Sequence, residues 1–107
     1  MLFFSEKNTV QIQATKSKQI DKKIVKELKH WIKERIKDTI EYCKGIESYS
    51  FSIDVLGGIS SYTYKEVKQP FYNIVVPYFI NKGFKVTFDE YENCTISWGK
   101  AKDSIEQ

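Results

Sequence analysis

The longest regular pattern in the chain lies between residues 17 and 44, where Ile20, Ile24, Leu28, Trp31, Ile32, Ile36, Ile40 and Cys43 recur at three- and four-residue spacing. That period predicts an amphipathic helix with one buried face. Ser17 is placed to cap its start, and Asp21 in the first turn suits the positive end of the helix dipole. Gly45 suits the left-handed residue that ends such a helix, and Ile46 is placed to fold back on Ile40. About 26 residues at 1.5 Å each make a rod of roughly 39 Å. A six-residue strand spans only about 20 Å. The helix is therefore expected to overhang its sheet or to be covered by another subunit.

A two-residue period appears elsewhere. Val10, Ile12 and Ala14 alternate with Gln11 and Gln13, which predicts a short strand over 9–14. Tyr49, Phe51, Ile53 and Val55 alternate with Ser50, Ser52 and Asp54, a half-buried strand closed by Gly57-Gly58. Thr63-Tyr64-Lys65-Glu66 matches a capping box, with Tyr62 and Val67 as its hydrophobic staple. Pro70 disfavours a helix running through it, so the pattern predicts a turn over 64–69 and a helix from Pro70 to Lys82. Pro77 should kink that helix by leaving the Asn73 carbonyl without a donor. An edge strand over 72–80 is the alternative. Gly83, with Phe84 against Phe79, repeats the stop signal.

Phe84, Val86 and Phe88, then Cys94, Ile96 and Trp98, form the inward faces of a hairpin across residues 89–93. The predicted architecture is one α+β domain over residues 1–107, in the order β-α-β-α-β-β, with terminal segments 1–8 and 100–107. One long and one kinked helix would pack on one face of a mixed sheet. The other face is left partly free. That face and the overhanging helix are candidates for self-association, so a homo-oligomer is expected.

Composition narrows the class. A chain of 107 residues with 41% hydrophobic content is long enough for one core. Its longest apolar run, Ile74 to Ile80, is interrupted by Pro77 and falls far short of the roughly 20 residues of a membrane helix. Met1-Leu2-Phe3-Phe4 lacks the basic start of a secretion signal. These features predict a soluble cytoplasmic protein with no membrane partner. Among the 17 basic residues only Arg35 is arginine, so the bidentate fork that reads guanine is nearly absent. The net charge of +3 is uneven: residues 16–44 hold ten basic against five acidic side chains, and residues 45–107 hold six against eight.

That imbalance has a place on the long helix. Lys22, Lys26, Lys29, Lys33 and Lys37 lie along one flank of the apolar face, while Glu27, Glu34, Asp38 and Glu41 occupy the other side. The flank is a candidate rail for an anionic partner. Its plain alternative is a solvated helix face. A second candidate is the loop Gly57, Gly58, Ser60, Ser61, Tyr62, Thr63 and Tyr64, whose glycines, hydroxyls and tyrosines suit a phosphate or a stacked base. It matches neither a Walker loop nor a dinucleotide fingerprint, and its plain alternative is a turn requiring positive φ. His30 has no catalytic partner in motif spacing, and residues 89–92 lack the register of a metal loop. Cys43 and Cys94 show no metal spacing and read as buried free thiols. Trp31 and Trp98 read as core. No catalytic set, metal site or cofactor motif assembles.

Gly83-Phe84-Lys85-Val86, followed after a polar hairpin by Thr95-Ile96-Ser97-Trp98, resembles the ending of short phage-encoded accessory proteins of unknown function. These share a long Lys/Glu-rich helix, a strand, a helix closing on Gly-aromatic-x-Val and a final Ile-Ser-Trp strand, a pattern covering residues 17–99. The resemblance implies a non-enzymatic protein of the host cytoplasm that sequesters a nucleotide-derived signal or an acidic host defence protein. The alternatives are a nonspecific nucleic-acid-binding protein and a virion or assembly component.

Overall fold

A stripe of aliphatic side chains organises the molecule: Ile24, Leu28, Ile32 and Ile36 are wholly buried, joined by Val25 at their edge. The structure, a computed structural model, describes residues 2–59 and 62–99, and side chains from residue 21 onward. Helix α1 runs over Leu2–Tyr42, so it starts well ahead of the Ser17 cap that the period predicts and ends just short of Cys43. Its 41 residues make a rod of about 61 Å, which sets the 64 Å long dimension of the molecule. Its length far exceeds that of strands of four and five residues, as expected, and among the described side chains its buried positions begin at Ile24.

The strand expected over 9–14 is instead part of α1. A helix satisfies its own backbone groups, whereas an alternating segment needs a neighbouring strand to pair with. The sheet is made of β1 (Ser48–Ser52), β2 (Lys85–Phe88) and β3 (Asn93–Ser97), in the order β1-β3-β2. Both pairings are antiparallel, so the sheet is not mixed as expected. The α+β class holds, with the first predicted strand removed from the order.

Strand β1 stops at Ser52 rather than reaching Val55, because its partner gives way to the hairpin turn beyond Asn93. The Ile53 N–H then donates to the Glu92 carbonyl at 3.1 Å and the chain tightens into a 3₁₀ turn over Ile53–Val55. Helix α2 (Leu56–Ile59) follows directly. Gly57 and Gly58 therefore open a helical turn, and neither has positive φ. Gly57 is needed for closeness: a Cβ there would lie 2.9 Å from the Tyr64 backbone nitrogen, while one on Gly58 would meet open space.

Helix α3 (Tyr64–Pro70) begins where the capping box predicts, with the Thr63 hydroxyl accepting from the Glu66 N–H and the Glu66 carboxylate accepting from the Thr63 N–H. The box overrides the proline. Pro70 is the last residue of α3, not the first of a later helix, and the cost is confined to one missing donor. A π segment (Phe71–Val75) and helix α4 (Val76–Asn81) continue the rod, with the Val76 N–H reaching back five residues to the Phe71 carbonyl. This wide turn sits just ahead of Pro77, which has no N–H to contribute to the ladder.

Gly83 ends the rod at φ 97°, with its N–H donating to Ile80 and that of Phe84 to Phe79. The Phe79 and Phe84 rings meet edge to face at 5.5 Å, as the stop signal predicts. At the end of α1, Gly45 is left-handed as expected, but Ile46 is half exposed and does not fold back. Cys43, expected in the core, is exposed because it lies beyond the last covered turn. Cys94 is buried, and burial pushes its thiol up to about 12.

The core face of the sheet carries Phe51, Cys94 and Ile96, covered by α1 and by Val67, Phe71, Val75 and Phe79 of the rod. Rings link the layers: Trp31 meets Phe51 at 5.4 Å, Phe51 meets Phe71 at 6.1 Å, and Phe71 meets Phe88 at 6.2 Å. By register, the opposite face presents Ser48, Ser50, Ser52, Thr87, Thr95 and Ser97, with Ser50 and Thr95 hydroxyls 2.7 Å apart. Among the described residues no helix is long and apolar enough to cross a membrane.

Gly57→Ala should destabilise the domain by about 1–3 kcal/mol through overpacking against α3, whereas Gly58→Ala should be neutral or stabilising by up to about 1 kcal/mol. Urea unfolding midpoints measure both. Equal effects would refute the close approach as the reason for Gly57.

Candidate functional site

The rod turns a second four-residue stripe away from the core: Ile74, Tyr78 and Lys82. It faces the lysine flank of α1. Beside Ile74, a groove of about 450 Å³ is lined by Asp21, Lys22, Val25, Lys26 and Lys29. Beside Tyr78, the ammonium groups of Lys29, Lys33 and Lys82 lie 3.9, 5.0 and 5.8 Å from the ring centroid. Lys29 belongs to both, so groove and cluster adjoin between α1 and the rod, and the two together are called the channel below.

The chemistry of the cluster follows from its charges. The Lys33 ammonium favours the ionised Tyr78 phenol, and the charges of Lys82 and Lys29 add to it, so the phenol ionises below its ordinary range despite the opposing effect of burial. The electron-rich ring face partly offsets the mutual repulsion of the ammonium groups. Among the described residues no carboxylate lies within ion-pair distance of Lys29, Lys33 or Lys82. Three cations converge with only a phenol between them. Such a cluster can accept an anion or an acidic side chain with little rearrangement.

Of the five flank lysines expected as a rail, Lys22, Lys26 and Lys29 line the groove and Lys33 joins the cluster. Lys37 stands apart, 4.0 Å from Glu34. Arg35 is committed elsewhere, paired with Asp38 at 3.1 Å and set over Trp31. Lys82 and Tyr78 were not anticipated. They come from another element, and only the stop signal at Gly83 marks where that element ends.

The loop candidate is arranged differently. Ser60 and Ser61 lie outside the described residues. Thr63 spends its N–H and hydroxyl on Glu66, and the Tyr64 hydroxyl donates to Glu92 Oε2 at 2.7 Å. Lys68 Nζ donates to Glu92 Oε1 at 3.1 Å, so Glu92 clamps the hairpin turn onto α3 from a left-handed backbone at φ 59°. An incoming anion here would meet two carboxylates already holding these donors. His30 is exposed, and the described residues hold no group of three or more His, Cys, Asp or Glu able to bind a metal ion. Comparison with protein-family models, with curated proteins and with solved structures finds no match to this chain.

The hydrogen bonds from Tyr64 and Lys68 hold the Glu92 carboxyl below its ordinary value. A carboxylate with a depressed folded pKa contributes stability above its unfolded pKa and loses it as pH falls through the folded one. The stability gap between wild type and Glu92→Gln should therefore be widest at neutral pH and close as pH drops below the carboxylate range. Denaturant midpoints across pH check this, and a gap that persisted in acid would exclude the clamp.

Lys33→Met should raise the ionisation pH of Tyr78 towards the ordinary phenol value. The readout is the ultraviolet titration difference between each protein and its Tyr78→Phe counterpart. An unmoved titration would exclude the Lys33 contact.

Proposed function

We propose that this protein works by binding an anionic partner in the lysine channel between α1 and the rod, as the phage-type accessory proteins it resembles in pattern would. The observation that carries this reading is the convergence of Lys29, Lys33 and Lys82 on Tyr78 without a carboxylate among the described residues. Like charges at four-residue spacing on one helix, such as Lys22/Lys26 and Lys29/Lys33, destabilise it by about 0.2–0.5 kcal/mol per pair. Stability alone gives no reason to add Lys82 from a second element to the same spot. An external anion does.

The loop at residues 57–64 is the weaker seat, since Thr63 and Tyr64 already have carboxylate partners. Among anions, the channel suits a partner with several negative charges: its lysines from Lys22 to Lys33 span eleven residue steps, about 16 Å along α1. The reading requires no catalysis. The extent of α1 beyond Ile24 is the feature that supports self-association, because the outer sheet face carries small hydroxyls in place of apolar side chains.

The test is retention on heparin and affinity for labelled poly-glutamate at two salt concentrations. Wild type should bind both, with affinity falling steeply as salt rises. Lys29→Glu/Lys33→Glu/Lys82→Glu should lose about tenfold or more, with its circular dichroism unchanged. Binding that ignored the triple substitution would overturn the assignment, as would no binding at low salt.

A further inference from the structure

Resting on that reading, we infer that the partner is an acidic, amphipathic segment of another protein, whose apolar side chains enter the Val25–Ile74 groove while its carboxylates meet the lysines. Two features separate this from a site for a plain anion. First, the groove floor is hydrocarbon: Val25 is only 8% exposed, while Ile74 stands 42% exposed on the opposite wall. A phosphate or a nucleotide backbone has nothing to place there. Second, the charges are distributed along a line instead of gathered at a point. Lys22, Lys26, Lys29 and Lys33 repeat at intervals of four, three and four, the spacing at which a helix laid alongside presents one face.

Shape separates a peptide from a lipid surface. The groove lies between α1 and the rod, with Val25 nearly covered and the exposed side chains of Lys22 and Lys26 beside it. A bilayer needs protruding apolar groups to insert, whereas an inserted side chain needs a cleft. Nucleic acid is disfavoured for a related reason: the ring beside the groove, Tyr78, already has lysine ammonium groups over it, and the single arginine is paired with Asp38. The charge pattern also orients the occupant. Asp21 lies at the end of the groove away from Tyr78 and repels a carboxylate there. The acidic residues of the bound segment therefore concentrate towards the Lys29/Lys33/Lys82 end.

Two synthetic peptides test this, identical in composition and charge. One places Leu at helical spacing among Glu residues, and the other scatters the same residues. Fluorescence anisotropy on the full chain should show the amphipathic peptide binding about tenfold or more tightly than its isomer, the worth of burying one aliphatic side chain. Ile74→Ser should abolish that preference, bringing the amphipathic peptide to the affinity of its scattered isomer. Ile74 is half exposed, so this variant keeps the core, and circular dichroism verifies it.

Equal affinity for the two isomers would overturn the groove assignment while leaving the anionic reading intact. Failure of both peptides and of poly-glutamate would overturn both. Vesicles containing phosphatidylglycerol are the third arm. Binding to them more tightly than to the amphipathic peptide, with loss on Ile74→Ser, would assign the groove to lipid and overturn the peptide.

Discussion

Everything on the surface of this domain is positioned by the rotation of α1 about its own axis, and that rotation is set by four aliphatic side chains. Ile24, Leu28, Ile32 and Ile36 are fully buried against Phe71, Val75, Phe51 and their neighbours. Each contributes about 1.5–3 kcal/mol on burial. The like-charge pairs of the lysine flank oppose helix formation by a few tenths of a kcal/mol each. Burial wins by a wide margin, so the lysines go where the isoleucines put them. They fall beside the rod, on the edge of the buried face, and the acidic residues fall on the far side.

The rod meets them through a second constraint. Val67, Phe71, Val75 and Phe79 are all buried at intervals of four residues. In a regular α-helix each four-residue step overshoots a full turn by about 40°, so such a stripe would wind off the core by its third step. The π segment over Phe71–Val75 widens the turn and takes up that overshoot. The parallel stripe Ile74, Tyr78, Lys82 is kept straight by the same device. A rod without it would carry Lys82 away from the lysines of α1, so the local irregularity ahead of Pro77 and the composition of the channel are one fact.

Legibility in the sequence follows the range of each interaction. The α1 stripe, the capping box at Thr63 and Glu66, the glycine stop at Gly83 and the hairpin register are encoded within a few residues, and each is found where its pattern predicts. Residues 9–14 belong to α1 although they alternate, because alternation over six residues also fits a helix, and a helix continued from its neighbours satisfies its own backbone groups. Pro70 was misread because its local penalty was weighed without the burial of Val67 and Phe71 on either side. The lysine flank was legible as a line on one helix. Its closure by Tyr78 and Lys82 was not, since a contact between elements leaves no spacing in either.

The channel and the sheet face make opposite use of polarity, and the contrast bears on function. On the outer sheet face the Ser50 and Thr95 hydroxyls satisfy one another, and another polar cluster is closed by Glu92 between Tyr64 and Lys68. Polar atoms there have internal partners and gain little from a ligand. In the channel the cations have a phenol and hydrocarbon for neighbours, with Asp21 the one carboxylate on its lining among the described residues. Elsewhere the fold shows that it can place a carboxylate against a lysine when structure calls for one. Three ammonium groups stand together at Tyr78 instead, and in the proposed reading the apolar floor beside them selects the kind of anion that binds.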